Sequence, residues 1–86
     1  MYDVVLDPAA KRDIAGVPEP EASALMSDVV ALEHWPHHGL DVSKLRGKLA
    51  GLWRVSTGHY RAIFEIDKKA RVIRVIRIGH RHNVYQ

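Results

Sequence analysis

The sequence predicts a single α+β domain in which a helical hairpin packs on one face of a mostly antiparallel four-stranded sheet. Three observations support this class. The length of 86 residues suits one hydrophobic core. The periodic patterns follow the order β-α-α-β-β-β, and short polar turns separate the last three strand patterns. A pair of helices kept apart from a run of strands is typical of α+β folds, so we treat residues 1–86 as one domain.

The first strand is predicted at residues 1–6, where the sequence MYDVVL is apolar and β-branched. A helix should follow directly, because Asp7 is a favourable N-cap residue and Pro8 suits the first helical position. Apolar residues at helical spacing give this helix one buried stripe, formed by Ala10, Ile14 and Val17. Gly16 and Pro18 end it.

A second helix is predicted at residues 19–34, with an acidic first turn at the positive end of the helix dipole. Its apolar stripe consists of Ala22, Leu25, Met26, Val29 and Leu32. The Trp35-Pro36 pair ends the helix, since a residue before proline avoids the α region. Residues 37–43 are predicted to form a loop.

Three strands are predicted at 52–56, 60–66 and 71–78. With a four-residue loop between the first two, Arg54 lies directly opposite Arg61 on the sheet face away from the helices. Two opposed guanidinium groups repel, which favours an anion bound between them. In the alternative interpretation both side chains extend into solvent, or Glu65 neutralises one of them.

The last strand contains arginines that do not follow a period of two. Arg74 and Arg77 are three residues apart and must point to opposite faces of the sheet. We expect Arg77 to share a face with Ile73 and Val75. Arg74 is then expected on the core side, near an edge.

The charges divide between the two halves of the chain. Residues 1–43 hold two Lys/Arg and eight Asp/Glu, whereas residues 44–86 hold eleven Lys/Arg and two Asp/Glu. Such segregation indicates a partner that is a polyanion. The chain has no cysteine and no apolar run long enough to cross a membrane, so we expect a cytoplasmic protein without disulfides.

Several segments together resemble the RelE branch of the RelE/ParE toxin superfamily. They are Leu45-Arg46-Gly47, the run from Leu52 to Ile66 that contains Gly58-His59-Tyr60-Arg61-Ala62-Ile63-Phe64-Glu65-Ile66, and the ending Gly79-His80-Arg81 with Val84-Tyr85. Element order and length agree as well, so the resemblance covers essentially the whole chain. It implies a small fold similar to microbial ribonucleases.

The resemblance also implies an activity. RelE members enter the ribosomal A site and cleave mRNA without a metal, by attack of a ribose 2′-OH on the adjacent phosphate. By position in the motif, Arg61 matches the arginine that stabilises the transition state. Arg81 matches the arginine near the leaving group, and Tyr85 the tyrosine that stacks on or orients the base. Arg54 stands where better-studied members have a phosphate-binding lysine.

One position departs from that pattern. Better-studied members often carry a basic residue where this chain has Leu52. Arginine is protonated at physiological pH and is a poor base. His80 and His82 are therefore the candidates for acid–base work, His82 as the catalytic group and His80 as an RNA contact. Alternatively, both only add donors to a phosphate site. His59 is interpreted as a turn residue.

A basic strip of Lys44, Arg46 and Lys48 precedes the hairpin, and we assign it with Arg77 to RNA-backbone contacts. A solvated charged strand is the alternative for each of these residues. The histidines around Trp35-Pro36 do not predict a metal site, because imidazoles flanking proline lack a defined face and no cysteine completes a ligand set. No cofactor is expected.

The combined prediction is a ribosome-dependent, metal-independent mRNA endoribonuclease, the toxin of a type II toxin–antitoxin pair neutralised by a cognate antitoxin protein. Two alternatives remain. One is a ParE-type toxin that acts on DNA gyrase without nuclease activity, which the missing basic residue at Leu52 favours. The other is a decayed toxin that only binds RNA or its antitoxin.

Overall fold

The computed structural model describes residues 1–36 and 39–84 of the chain. In chain order its elements are β1 (Asp3–Leu6), α1 (Pro8–Ala15), α2 (Glu21–Ala31), β2 (Asp41–Lys44), β3 (Trp53–Thr57), β4 (Tyr60–Asp67) and β5 (Val72–His80). Single 3-10 turns lie at Leu32–His34 and Gly47–Leu49. The predicted α+β class is confirmed, and both helices lie where the apolar periodicity predicted them.

The sheet has five strands in the order β1-β5-β4-β3-β2, not the four that were predicted. Strand β1 runs parallel to β5, and the other neighbours are antiparallel. The additional strand is β2, which begins inside the segment predicted as loop. Its sequence, Asp-Val-Ser-Lys, has a single apolar residue, so pairing with β3 rather than local pattern makes it a strand.

The core lies between the two helices and one face of the sheet, with α1 packed on β5 and α2 on β3 and β4. The residues that are fully buried are Ala10, Leu25, Val29, Leu32, Val55, Ala62, Phe64, Ile73 and Val75. Trp35, at the end of the second helical segment, packs edge-on against Trp53 and Phe64 with centroids 5.0 and 5.9 Å apart. Both predicted helical stripes therefore belong to the core.

The turn between β3 and β4 has two central residues, Gly58 and His59, instead of the predicted four. Gly58 has a φ of +59°, as the glycine-first two-residue hairpin turn requires. The register consequently differs from the predicted one by two residues. Arg54 is opposite Ile63, and Arg61 is opposite Ser56, so the predicted direct Arg54–Arg61 pair is wrong. The two arginines are diagonal neighbours on one face, because a shift of two preserves the faces.

A β-bulge in β5 accounts for the charges that do not alternate. Ile63 pairs with Arg77 and Phe64 with Val75, which leaves Ile76 as the extra residue. Ile73, Val75 and Ile78 can then all face the core although their spacing changes from two to three. Arg74 is opposite Glu65, on the face away from the helices, so its predicted position on the core side is wrong.

Arg74 and Arg77 each pair with a carboxylate. The Nε of Arg74 lies 3.4 Å from Glu65 and 3.7 Å from Asp7. Arg77 donates from Nε to Asp13 Oδ2 over 2.8 Å, and the Ile78 backbone N–H donates to the same oxygen over 2.9 Å. Arg77 therefore ties α1 to β5, and its predicted contact with RNA stays a prediction.

Asp13 should contribute to stability in a pH-dependent way. Burial raises its pKa, but the hydrogen bonds from Arg77 and Ile78 and the charges of Arg77 and Arg12 bring it below the ordinary value of 3.8. A lowered carboxylate pKa stabilises the fold above the unfolded-state value, and this contribution is lost as the pH falls through the folded-state value.

We expect Asp13→Ala to lower the free energy of unfolding by about 2 kcal/mol at pH 7, because two charge-assisted hydrogen bonds are lost. Urea denaturation measures the change, and the difference from wild type should shrink below about pH 4. The control is Glu65→Ala, whose exposed pair with Arg74 should be worth about 0.5 kcal/mol. Equal losses for both variants would contradict this account.

Candidate nucleic-acid interface

The sheet face opposite the helices carries both arginines of the β3–β4 hairpin, and we call it the arginine face. Arg54 and Arg61 are half-buried there, alongside Ser56, Ile63 and Glu65. Arg61 has small neighbours on both sides, Ser56 on β3 and Gly79 on β5. Ser56 adds little bulk beside Arg61, and Gly79 leaves room on this face for the chain that follows β5.

Arg61 also has an unsatisfied donor. Its Nε is buried and makes no hydrogen bond to any described residue. A buried donor without an acceptor costs about 1–3 kcal/mol, and such groups are rare in native structures. A phosphate oxygen bound at this position would supply the missing acceptor, and a charge-assisted bond of that kind is stronger than a neutral one.

The chain after β5 folds back onto the arginine face at Gly79. A Cβ added to Gly79 would lie 3.4 Å from the Cβ of Val84 and 3.5 Å from its Cα, so this close approach uses the missing side chain. The backbone N–H groups of Asn83 and Val84 both donate to the His80 carbonyl. Since Gly79 pairs with Arg61, this C-terminal turn (residues 81–84) lies next to the Arg61 position.

Three histidines stack at the same end of the sheet. The His80 ring lies 6.0 Å from that of His59 and 5.0 Å from that of His82, with interplanar angles of 20° and 26°. Tyr60 meets His80 edge-on at 5.5 Å. Burial lowers the pKa of His80, and the neighbouring His82, His59 and Arg81 lower it further. Sequence reasoning treated His59 as a turn residue, because a one-dimensional pattern does not show that it meets the C-terminal histidines.

The other predicted contacts are distributed as follows. Arg81 is exposed in the C-terminal turn, and its backbone N–H donates to the His59 carbonyl over 2.8 Å. Lys44 ends β2, and Arg46 and Lys48 are exposed in the connection to β3. Tyr85 lies outside the described residues. The structure therefore places Arg54 and Arg61 on one face, with the turn that carries Arg81 beside Arg61.

A cleft of about 720 Å³ lies at the opposite end of the sheet. Lys44, Trp53, Lys68 and Lys69 are among its lining residues, and the Lys44 ammonium sits 5.2 Å from the Trp53 ring centroid. Lys68 and Lys69 follow β4, in a segment that the sequence predicted as a polar turn. Sequence reasoning therefore did not assign them to an interface. They extend the positive charge beyond the predicted basic strip.

Across residues 1–36 and 39–84, no group of three or more His, Cys, Asp or Glu side chains is arranged to hold a metal ion. Two histidines of the cluster considered in the sequence, His37 and His38, lie outside that range. Within the same part of the chain, no helix is long and apolar enough to span a membrane.

Comparison with known proteins agrees with this architecture. Toxin RelG of Mycobacterium tuberculosis is 29% identical over 86 residues, covering 99% of this chain and 97% of that protein. A chain in the crystal structure of the toxin–antitoxin complex RelBE2 from Mycobacterium tuberculosis is 26% identical, with a TM-score of 0.79 over 92% of this chain and 96% of that one. A chain of the archaeal RelE–RelB complex from Pyrococcus horikoshii is 25% identical, with a TM-score of 0.77 over 96% and 98%.

A family profile covers nearly the whole sequence. The family described as the ParE toxin of the type II toxin–antitoxin system parDE matches residues 4–85. Except for Asp3, the first residue of β1, the match includes every strand and both helices of the described residues, together with the arginine face and the C-terminal turn. The resemblance to the RelE/ParE superfamily noted in the sequence is thereby confirmed, and the chain belongs to the ParE toxin family of type II toxin–antitoxin systems.

Proposed function

We propose that this toxin is an mRNA endoribonuclease that acts in the ribosomal A site and is held inactive by a cognate antitoxin. One observation carries the proposal. The buried Nε of Arg61 has no acceptor among the described residues, on a face that also holds Arg54 and adjoins the turn with Arg81. A phosphodiester satisfies that donor and draws on the positive charge of all three guanidinium groups.

The proposed chemistry is transesterification within the RNA. The ribose 2′-oxygen forms a bond to the adjacent phosphorus while the bond from phosphorus to the 5′-oxygen breaks. The products are a 2′,3′-cyclic phosphate and a 5′-hydroxyl. This step needs a base for the 2′-OH proton, positive charge for the phosphorane and a donor for the leaving oxygen.

The residues divide between these tasks according to their surroundings. Arg61 and Arg54 stabilise the phosphorane, and Arg81 donates a hydrogen bond to the departing 5′-oxygen, which takes its proton from solvent. The Nδ1 of His80 accepts a hydrogen bond from the His82 backbone N–H over 3.3 Å, so a neutral His80 carries its proton on Nε2 and serves as a donor to RNA. We assign His82 to accept the 2′-OH proton; its ring stacks on His80, which pairs with Tyr60 on the helix side of the sheet, so the RNA would have to reach it around the end of the sheet. Tyr85 is assigned to stacking on the base.

An antitoxin partner is proposed because the similar chains come from the toxin–antitoxin complex RelBE2 and from an archaeal RelE–RelB complex. Residues 44–86 carry eleven of the thirteen Lys/Arg residues, so an antitoxin segment with acidic side chains would be attracted to the arginine face. Such a segment would compete with RNA for Arg54, Arg61 and Arg81. Inhibition would then follow from occupation of the site. A toxin of this kind acts in the cytoplasm, where mRNA and ribosomes are found.

The second candidate function is inhibition of DNA gyrase through protein contacts. Two observations favour it: the matching family is named for ParE, and Leu52 stands where RelE members carry a basic residue. In that case the arginine face would bind an acidic protein surface, and RNA would remain intact.

Expression of the full chain in a bacterium distinguishes these functions. The endoribonuclease proposal predicts growth arrest and new mRNA 5′ ends at a fixed position relative to codons, with 5′-hydroxyl groups that need kinase treatment before ligation. Growth arrest with a DNA-damage response and intact mRNA would instead indicate action on gyrase. Normal growth, with RNA binding retained, would identify a decayed toxin.

Arg81→Ala is expected to lower the rate of mRNA cleavage by about ten- to a hundredfold, because one donor to the leaving oxygen is lost. Quantitative primer extension over time measures the rate, and circular dichroism checks the fold. The matched control is Lys11→Ala, which removes an exposed positive charge from α1, on the helix layer. Equal cleavage by the Arg81→Ala variant and wild type would remove Arg81 from the mechanism.

Binding of single-stranded RNA should depend strongly on salt. Four to five phosphate contacts give a slope of roughly −3 in a plot of log affinity against log salt. A rise from about 50 to 200 mM salt should therefore weaken binding roughly sixtyfold. Fluorescence anisotropy with a labelled oligonucleotide measures this. A flat response would contradict binding through phosphate contacts.

A further inference from the structure

We propose that His59 is a positioning residue for the cleavage site: it holds the C-terminal turn and the His80 imidazole at the end of the sheet. The inference rests on the proposed endoribonuclease function, since it assigns His59 a part in that reaction. It goes further because His59 belongs to the β3–β4 turn and acts through His80 and the C-terminal turn rather than on the phosphate itself.

His59 contacts the C-terminal segment in two separate ways. Its carbonyl oxygen accepts the backbone N–H of Arg81 over 2.8 Å, and its ring stacks on that of His80 at 6.0 Å. The two-residue turn fixes His59 itself, because Gly58 adopts the positive φ that this turn requires. The turn therefore presents both the carbonyl and the ring to the residues that follow β5.

The His80 ring is enclosed from three directions. His59 stacks on it from the β3–β4 turn, His82 stacks on it from the C-terminal turn at 5.0 Å, and Tyr60 meets it edge-on from β4. This stack connects three segments that are separate in sequence. Loss of the His59 ring removes the contact that the β3–β4 turn makes with the His80 ring. The backbone hydrogen bond from Arg81 to the His59 carbonyl is retained.

Among the described residues, His59, Tyr60, Arg81 and His82 are the titratable and charged groups that face His80. Three of these four are basic, and together with burial they lower the pKa of His80. The backbone bond from His82 to Nδ1 also suits the neutral ring with its proton on Nε2. The stack therefore keeps His80 uncharged at neutral pH as a fixed donor.

A histidine with a lowered pKa in the folded state favours the neutral form, so protonation opposes the stack. The stack is stable above the ordinary histidine value of about 6.5 and loosens as the pH falls below it.

The test is NMR on the full chain, comparing wild type with His59→Ala and His59→Phe. The alanine variant should raise the pKa of His80 and lower the hydrogen-exchange protection of the Arg81 amide by about tenfold at pH 7.5. The phenylalanine variant retains a flat ring of similar reach and should keep the Arg81 amide protected. His34 lies outside the stack, and its signals should not change between the variants.

The NMR comparison tests the role of His59 in the protein without bound RNA. Unchanged His80 titration and unchanged Arg81 protection in His59→Ala would overturn it. Loss of protection in both variants alike would also overturn it, because the stacked ring is claimed to hold the turn.

A cleavage assay adds the functional readout. His59→Ala should lower kcat by about tenfold with little change in KM and should move the acid limb of the pH profile upward, and His59→Phe should restore most of kcat. Wild-type kcat and pH profile in the alanine variant would overturn the positioning role. If wild type itself fails to cleave RNA while the NMR changes occur, the proposed function has failed and the structural role of His59 stands.

Discussion

Arg61→Ala is expected to lower mRNA cleavage by about a hundred- to a thousandfold, the effect of removing one preorganised donor to the charge of the transition state. Arg61 has the strongest case of any residue on the arginine face, because its Nε is already desolvated and has no acceptor among the described residues. An acceptor that develops negative charge beside this donor would supply the partner that it lacks. The rate of codon-positioned cleavage by purified ribosome-bound toxin measures the loss.

The matched control is Arg74→Ala. Arg74 lies on the same face of the sheet, but Glu65 and Asp7 already neutralise it, and its side chain is 52% exposed. Cleavage by this variant should stay within about twofold of wild type, since solvent and salt screen an exposed charge that is already paired. Similar losses from both substitutions would show that total positive charge, rather than the position of Arg61, supports the activity.

Stability should respond to Arg61→Ala in a different direction from activity. The substitution removes a buried donor that lacks a partner, and such a group costs free energy in the folded protein. The melting temperature should therefore be unchanged or slightly higher. This combination, lost activity with retained stability, is expected at a site built to bind a ligand.

Phe64→Ala is expected to lower the free energy of unfolding by about 3–5 kcal/mol. Phe64 is fully buried at the centre of β4, and the Trp35 ring packs edge-on against it. A domain of this size has a total stability of about 4–13 kcal/mol, so the loss takes much of it. Circular dichroism should show a melting temperature lower by about 15 °C or more.

An exposed apolar residue provides the comparison for Phe64. Val30 on α2 is 54% exposed, and Val30→Ala should change the free energy of unfolding by no more than about 0.5 kcal/mol. The expected difference arises because only Phe64→Ala leaves a cavity. A small effect at Phe64 would contradict the packing described for the core between helices and sheet.

The helices and the last three strands could be predicted from local patterns. The Asp7-Pro8 start of α1 and the apolar stripe with Leu25 and Val29 are signals that neighbouring residues carry by themselves. Strand β2 was missed because Val42 is its one apolar residue, and its strand structure comes from pairing with Val55. Pairing of this kind depends on the partner strand, which periodicity in one segment does not show.

The sheet face on which each side chain of β3 and β4 lies was predicted more reliably than the register in which the two strands pair. The alternation through Val55, Ala62 and Phe64 put Arg54 and Arg61 on a common face, and the structure agrees. The turn was assigned two residues too many, which made those arginines direct rather than diagonal neighbours. Ile76 shows a different limit, because an unpaired bulge residue changes the face of every later side chain without any local sequence signal.

The sequence indicated charged residues for the proposed site, which stay a prediction, but it did not indicate the contacts that these residues make. Charge asymmetry and the resemblance indicated Arg61 and Arg81, but neither indicated that the Arg61 Nε is buried or that Asp13 binds Arg77. The stack of His59 on His80 joins residues from separate segments, so only the folded chain shows it.

The claim on which this account depends is that the arginine face and the C-terminal turn hold an RNA phosphodiester for cleavage on the ribosome. The most direct measurement combines the purified full chain with ribosomes that carry a defined mRNA and an empty A site. We predict cleavage within the A-site codon, with a 5′-hydroxyl on the downstream fragment, and loss of that cleavage in Arg61→Ala. Intact mRNA after prolonged incubation with wild-type protein in excess over ribosomes would contradict it.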